Sequence, residues 1–277
     1  MAAGFSRADE QVPEWYTEDL VRRANQSAIR TRNDLPGNML KYWNARHDLF
    51  SQFSEGILLD EESWFSVTPE AVAYRIAVQC ASDVVLDAFC GAGGNAIQFA
   101  MTCKRVIAID IDPVKLAMAH HNASIYGVED RITFLCGDFC AFAEAHASGV
   151  DADGCWQGWH REAIDVVFLS PPWGGVDYLN PDLLTPEKAL KVNTSSYTDL
   201  YPLRELRPVG GQKLFQLAYG ICDKIVLYLP RNVNLDEVAR LAQLVPDTPL
   251  AIHAEELWLG YKFKALAVFL SHSAAPP

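Results

Sequence analysis

Three things are scarce in this chain of 277 residues, and each scarcity closes off a class of protein. The seven cysteines (Cys80, Cys90, Cys103, Cys136, Cys140, Cys155 and Cys222) form no CxxC pair and no zinc-ligand spacing. That argues against a metal centre and a disulfide framework, and for single buried thiols in a reducing compartment. No apolar run approaches a bilayer span, and an N-terminus with early acids lacks the shape of a secretory signal. A soluble intracellular protein without a membrane partner is expected. Positive charge is short as well, with 23 Lys and Arg against 35 Asp and Glu. A formal net charge of -12 excludes a nonspecific nucleic-acid binder, which needs clustered cations to neutralise phosphates. From Leu20 to His47 the balance reverses, with six basic residues (Arg22, Arg23, Arg30, Arg32, Lys41, Arg46) and one acid (Asp34). That stretch reads either as a solvated helix face or as an arm that touches a few phosphates.

What the chain has is a repeating strand–helix pattern with half of its residues hydrophobic, enough for one large α/β domain. Residues 14–60 read as a small helical extension, broken by the loop signal Asn33-Asp34-Leu35-Pro36-Gly37. Thr68 and Pro69 read as the N-cap and first position of a helix reaching about Cys80. Strands are expected at 83–87, 105–110, 131–135, 164–170 and 224–229, with two late strands at about 249–258 and 263–270. Helices between them imply a doubly wound, mostly parallel sheet over residues 61–272. Gly149 to Glu162 lacks clear periodicity and reads as a surface insertion. Asp177 to Gly211, rich in Pro, Ser, Thr and Asn, reads as a long loop of the functional or disordered kind.

After the first strand comes Gly91-x-Gly93-x-x-Ala96, and Asp110 ends the next strand nineteen residues past Gly91. That fingerprint suits a NAD dehydrogenase, an S-adenosylmethionine (SAM) methyltransferase or a plain tight turn. In either cofactor reading Gly91 and Gly93 let backbone approach the ligand and Asp110 accepts ribose hydroxyls. Asp87, just before the turn, would repel a pyrophosphate but could help to hold the cationic methionine end of SAM. Asp138 follows the third strand, placed to reach an adenine amine. These features favour SAM.

The stretch Ser170-Pro171-Pro172-Trp173-Gly174-Gly175 closes the central strand, because the prolines cannot extend a ladder and fix rigid carbonyls at the sheet's ligand-binding edge. Methylating a planar amine requires acceptors that hold its hydrogens and turn the lone pair toward the electrophile. The Ser170 hydroxyl and the Ser170 or Pro171 carbonyl can do this, while Trp173 supplies a stacking face. Ser170, Pro171 and Trp173 are therefore the candidate catalytic residues. The other reading is a proline-rich turn with a buried Trp.

Taken together, Phe65-Ser66-Val67-Thr68-Pro69-Glu70, Asp87-Ala88-Phe89-Cys90-Gly91, Ala108-Ile109-Asp110-Ile111-Asp112-Pro113, Cys136-Gly137-Asp138-Phe139, the Ser170–Gly175 stretch and Leu229-Pro230-Arg231-Asn232 closely resemble the trimethylguanosine synthase family. The resemblance runs from about Lys41 to the last strands. It departs at Gly149–Glu162 and after Tyr178. It implies a Rossmann-like class I SAM-dependent methyltransferase that converts the 7-methylguanosine cap of small nuclear and nucleolar RNAs to the 2,2,7-trimethylguanosine form. By that resemblance Thr68, Asp87, Asp110 and Asp138 contact SAM, and Phe50 and Ser66 help to close its pocket. Lys41, Asn122 and Arg231 lie near the cap phosphates, Tyr178 lies close to the base, and the helical extension is the cap and RNA side. A 7-methylated guanine is cationic, so stacking on Trp173 gains about 0.5–2 kcal/mol over the unmethylated base. The expected partners are capped small RNAs and their ribonucleoproteins, and the expected state is a monomer in the nucleus, with the cytoplasm as a second location. The alternatives are another exocyclic-amine methyltransferase, acting on adenine, ribosomal guanine or protein glutamine, and a noncatalytic cap-binding protein.

Overall fold

β-Branched and apolar runs with little polar alternation can satisfy themselves only as strands covered on both faces, and five such runs form the parallel part of the sheet. A computed structural model of the protein describes residues 15–152, 154–174, 200–246 and 248–272. The strands are β1 (Val84–Asp87), β2 (Arg105–Asp110), β3 (Ile132–Cys136), β4 (Val166–Leu169), β5 (Ile225–Pro230), β6 (Ala251–Leu259) and β7 (Lys262–Ser271). They lie in the order β3-β2-β1-β4-β5-β7-β6. β1 to β5 pair in parallel, and β7 runs antiparallel between β5 and β6. This is the doubly wound, mostly parallel sheet expected from the sequence.

Alternate side chains of each strand point to opposite layers. Val106, Ala108 and Phe168 join one apolar cluster with Ile76, Ile97 and Leu116, from helices α5 (Glu70–Gln79), α6 (Gly94–Thr102) and α7 (Pro113–Tyr126). Ile107, Ile109 and Val167 join the other with Phe142, Phe215 and Val238, from α8 (Phe139–Ser148), α9 (Gly211–Tyr219) and α10 (Leu235–Leu241). The winding reverses between β1 and β4, which pair with Asp87 opposite Phe168. Ligands of open α/β sheets bind in the crevice beyond the carboxyl ends of such a strand pair. The turn after β1 and the proline motif after β4 meet there.

Ahead of the sheet lie α1 (Glu18–Ser27) and the short helices α2 (Leu40–Asn44), α3 (Arg46–Leu49) and α4 (Ser63–Ser66). Leu20 and Ala24 of α1 pack on Ala117 and Met118 of α7. Trp43, Phe53 and Trp64 form an aromatic cluster with centroids 5.3 to 5.8 Å apart. Leu35, Met39, Leu49 and Phe53 belong to the same apolar cluster as α5 and α6, so the 14–60 segment shares its core with the sheet domain from its first described residues.

The structure differs from the sequence reading at three places. Pro69, not Thr68, sits at the N-cap of α5, and the Thr68 hydroxyl instead accepts a hydrogen bond from Asn95 Nδ2 at 3.0 Å. Within Gly149–Glu162, Trp156 is buried edge-on against Phe142, 5.2 Å between centroids, so this surface insertion is anchored in the core. The end of the Asp177–Gly211 loop, as far as it is described, folds back: Tyr201 bridges Val233, and a 3₁₀ turn spans Leu203–Glu205.

Candidate active site

The turn after β1 is shaped for glycine, by backbone conformation at Gly91 and by space as well at Gly93. Gly91 and Gly93 have φ of +52° and +89°, and a Cβ on Gly93 would lie 3.1 Å from that of Ala119. The Gly91 N–H, aimed by this conformation, donates to Asp110 Oδ2 at 2.8 Å, and the Asp112 N–H donates to Oδ1 at 2.9 Å. Each Asp110 oxygen thus keeps acceptor capacity for a hydroxyl. Burial raises the Asp110 pKa, and the two N–H groups and Lys115 oppose it. Asp138 caps α8 by accepting from the Cys140 N–H at 2.6 Å. Asp110, Asp138, Thr68, Ser66 and Gly91 all line one end of a cavity of about 780 Å³, in the upper part of the usual range for ligand sites of roughly 300–1,000 Å³.

Beneath the turn, Asp87 is fully buried and neither carboxylate oxygen makes a hydrogen bond among the described residues. Burial is the main cause that pushes its pKa to about 7, and the charge of Asp110 adds to it. The main-chain N–H groups of Phe89 and Ala96 lie near enough to pull it partly back, without completing a bond. Asn95 Oδ1, on a residue that lines the cavity, is likewise buried and unpartnered. Two carboxylates and an unpaired carbonyl at this end suit a ligand that brings positive charge and N–H donors. They would repel a pyrophosphate.

Ser170, Pro171 and Trp173 line the same cavity. The Ser170 hydroxyl donates to the Phe89 carbonyl at 3.2 Å, which commits its single proton and leaves it an acceptor toward the cavity. The Pro172 carbonyl accepts from the Arg207 N–H and the Trp173 carbonyl from the Tyr201 hydroxyl, both at 3.1 Å. Among the described residues, the Ser170 and Pro171 carbonyls accept no hydrogen bond. The indole is held by its Nε1–H donating to the Tyr228 carbonyl at 3.2 Å and by the Tyr228 ring, 5.2 Å away and tilted 31°. Lys41, Arg207, Arg231 and Lys264 also line the cavity, and none makes an ion pair among the described residues.

Four sequence candidates lie off the wall, Gly93 of the turn among them. Phe50 is a core residue that packs near Tyr126 and under Gly94. Asn122 is fully buried: its Nδ2 donates to the Leu58 and Ala92 carbonyls and its Oδ1 accepts from the Leu58 N–H, so its amide is spent on main chain rather than presented to phosphates. Asp87 sits below the turn rather than on the surface of the cavity. Tyr178 lies outside the described residues. Of the basic stretch, Arg22, Arg23, Arg30 and Arg32 are exposed, Arg46 rests over Trp43, and Lys41 alone lines the cavity. Sequence reasoning missed Arg207, Tyr228 and Lys264. The only signal for Lys264 was its place near the start of the last strand, where alternation gives no direction.

The sequence profile of the RNA cap guanine-N2 methyltransferase family matches residues 82–273. The chain is 40% identical over 210 residues to trimethylguanosine synthase of Schizosaccharomyces pombe, an alignment that covers 74% of this chain and 76% of the relative. It is 32% identical over 235 residues to trimethylguanosine synthase of Saccharomyces cerevisiae, covering 82% and 66%. A crystal structure assigned as a methyltransferase from Porphyromonas gingivalis W83 superposes with a TM-score of 0.58 at 15% identity, over 94% of this chain and 59% of that one, a likeness of fold.

Proposed function

The chain belongs to the RNA cap guanine-N2 methyltransferase family, and from that premise we propose how its residues carry methyl groups from SAM to the 2-amino group of a 7-methylguanosine cap, giving the 2,2,7-trimethylguanosine form. When bound, SAM supplies a methyl group made electrophilic by its sulfonium. Asp110 takes the ribose hydroxyls, Asp138 the adenine amine, and Thr68 and Ser66 line the same end. The buried charge of Asp87 favours the cationic methionine end from below the turn. At the acceptor end the cationic base lies on Trp173. The Ser170 hydroxyl oxygen and the Ser170 or Pro171 carbonyl hold the N2 hydrogens, so the nitrogen lone pair faces the cofactor. No strong base is needed, because the amine gives up its proton only after it has attacked. Positioning of this kind can supply up to roughly 7–11 kcal/mol. Lys41 and Arg231 take the phosphate bridge, with the 14–60 segment on the cap side of the cavity.

The observation that carries this reading is the commitment of the Ser170 proton to Phe89 beside two carbonyls that accept no hydrogen bond among the described residues, all in one cavity with Asp110. Such a site is built to receive N–H groups. The substrates are small nuclear and nucleolar RNAs, free or as ribonucleoproteins, met in the nucleus and secondarily in the cytoplasm. The test is methyl transfer to a 7-methylguanosine cap dinucleotide against its unmethylated counterpart. Strong preference for the former is expected, and equal rates would reject the substrate assignment.

A further inference from the structure

The β6–β7 hairpin contains an irregularity that aims one cation at the cavity. Leu257 pairs with Ala265 and Trp258 with Phe263, so Lys264 is an extra residue on β7 with no partner on β6. A bulge of this kind breaks strand alternation and redirects a side chain. As a result Phe263 and Lys264, neighbours in sequence, both line the cavity. On the other side β5 and β7 stay paired up to Pro230 and Ala265, and Arg231 and Lys264 are the next residues beyond that pair, both lining the cavity. Burial lowers the Lys264 pKa, and Lys262 and Lys41 lower it further, while Asp48 alone opposes them. Positive groups therefore crowd here without an acid bound to them. Beyond them, the Trp258 and Phe263 rings stack, with centroids 5.2 Å apart and planes 19° from parallel. Trp258 is 48% exposed, and Tyr261, at the turn, is fully exposed.

We propose that the bulged end of this hairpin binds the RNA immediately beyond the cap, with Lys264 on the phosphate bridge and the exposed Trp258–Phe263 stack under the first transcribed base. The inference rests on the cap reading above and extends it past the methylated guanosine. A phosphate chain that leaves a base on Trp173 passes Arg231, then Lys264, and reaches the stacked rings. Cations followed by an aromatic platform are the usual equipment for unpaired nucleic acid. The hairpin as a whole is neutral, Glu255 and Glu256 balancing Lys262 and Lys264, but its tip from Leu257 to Lys264 carries both lysines and no acid, which favours RNA over a protein partner.

The test compares Lys264→Gln, Lys264→Arg and Trp258→Ala with wild type, using 7-methylguanosine, 7-methylguanosine triphosphate and a capped RNA decamer as acceptors. For Lys264→Gln, the KM of both phosphate-bearing acceptors relative to that of the nucleoside should rise about fivefold or more, and Lys264→Arg should restore it. For Trp258→Ala, only the ratio of decamer to triphosphate should rise, also about fivefold. Fluorescence anisotropy of the labelled decamer gives a readout independent of turnover. There the slope of log Kd on log salt should flatten by about 0.7 in Lys264→Gln, one phosphate contact fewer. Unchanged ratios and an unchanged Kd in both variants would overturn the inference. Wild-type protein that methylates none of the three acceptors would instead overturn the cap reading, and the anisotropy series would still decide the role of the hairpin.

Discussion

Replacing Asp87 by asparagine should make the ligand-free protein more stable above neutral pH and bind SAM less well. The carboxyl is fully buried without a hydrogen bond, and its pKa is moved from the ordinary 3.8 to about 7. For an acid whose pKa is raised by folding, the native state holds a proton that the unfolded chain has already lost between these values. Stability therefore falls as pH rises from about 4 to 7 and stays low above, by about 4 kcal/mol at 1.36 kcal/mol per pH unit. Asparagine cannot ionise, so its curve lacks this fall. Its amide would be buried without an acceptor at a cost of roughly 1–3 kcal/mol, leaving a net gain near pH 8 of about 1–3 kcal/mol. Guanidinium unfolding of both proteins from pH 4.5 to 8.5 measures the difference. A variant-minus-wild-type difference that does not change with pH would refute the argument. Calorimetry supplies the second half: SAM, a cation, should bind wild type more tightly as pH passes 7, and the variant should lose that dependence.

Trp173→Ala should abolish turnover with little loss of SAM affinity, measured by single-turnover assay and calorimetry, and an active variant would remove the indole from the acceptor side. Lys41→Ala and Arg231→Ala should each raise KM for the cap dinucleotide more than for 7-methylguanosine itself, whereas equal rises would make the rim a general surface effect. Asn122→Ala should leave the KM of folded protein unchanged but destabilise it by about 2–4 kcal/mol in denaturant titration, because the Leu58 and Ala92 main-chain groups lose their partners. A raised KM for capped acceptors with unchanged stability would return Asn122 to the substrate.

The sheet was legible because its inner strands are covered on both faces, which forces apolar runs such as Val106 to Ile109 and Val166 to Leu169 into plain view. Asp110 and the Ser170–Trp173 stretch were legible for a related reason: each ends a strand at the edge where open sheets bind ligands, so position and chemistry coincide. Lys264 was not, since a bulge depends on register between two strands and leaves no mark on either alone. Asn122 misled because a polar residue in a helix looks available until the chain that covers it, at Leu58, is known. Gly149–Glu162 has no periodicity to read, because isolated side chains rather than a regular face secure it: His160 is buried, and Trp156 fills the space where Gly137 has none, with its Cη2 2.5 Å from where a Cβ would stand.

The commitment of the Ser170 proton to Phe89 also sorts purines by polarity. Whatever docks at that corner must bring hydrogens of its own. A base with a keto oxygen in place of the amine would set lone pair against lone pair and forfeit the bond, a mismatch of roughly 1–3 kcal/mol. In the placement proposed for the amine, a doubly methylated nitrogen has no hydrogen left to offer, so the finished cap would lose its grip on the same corner and should depart more readily than the molecule that entered.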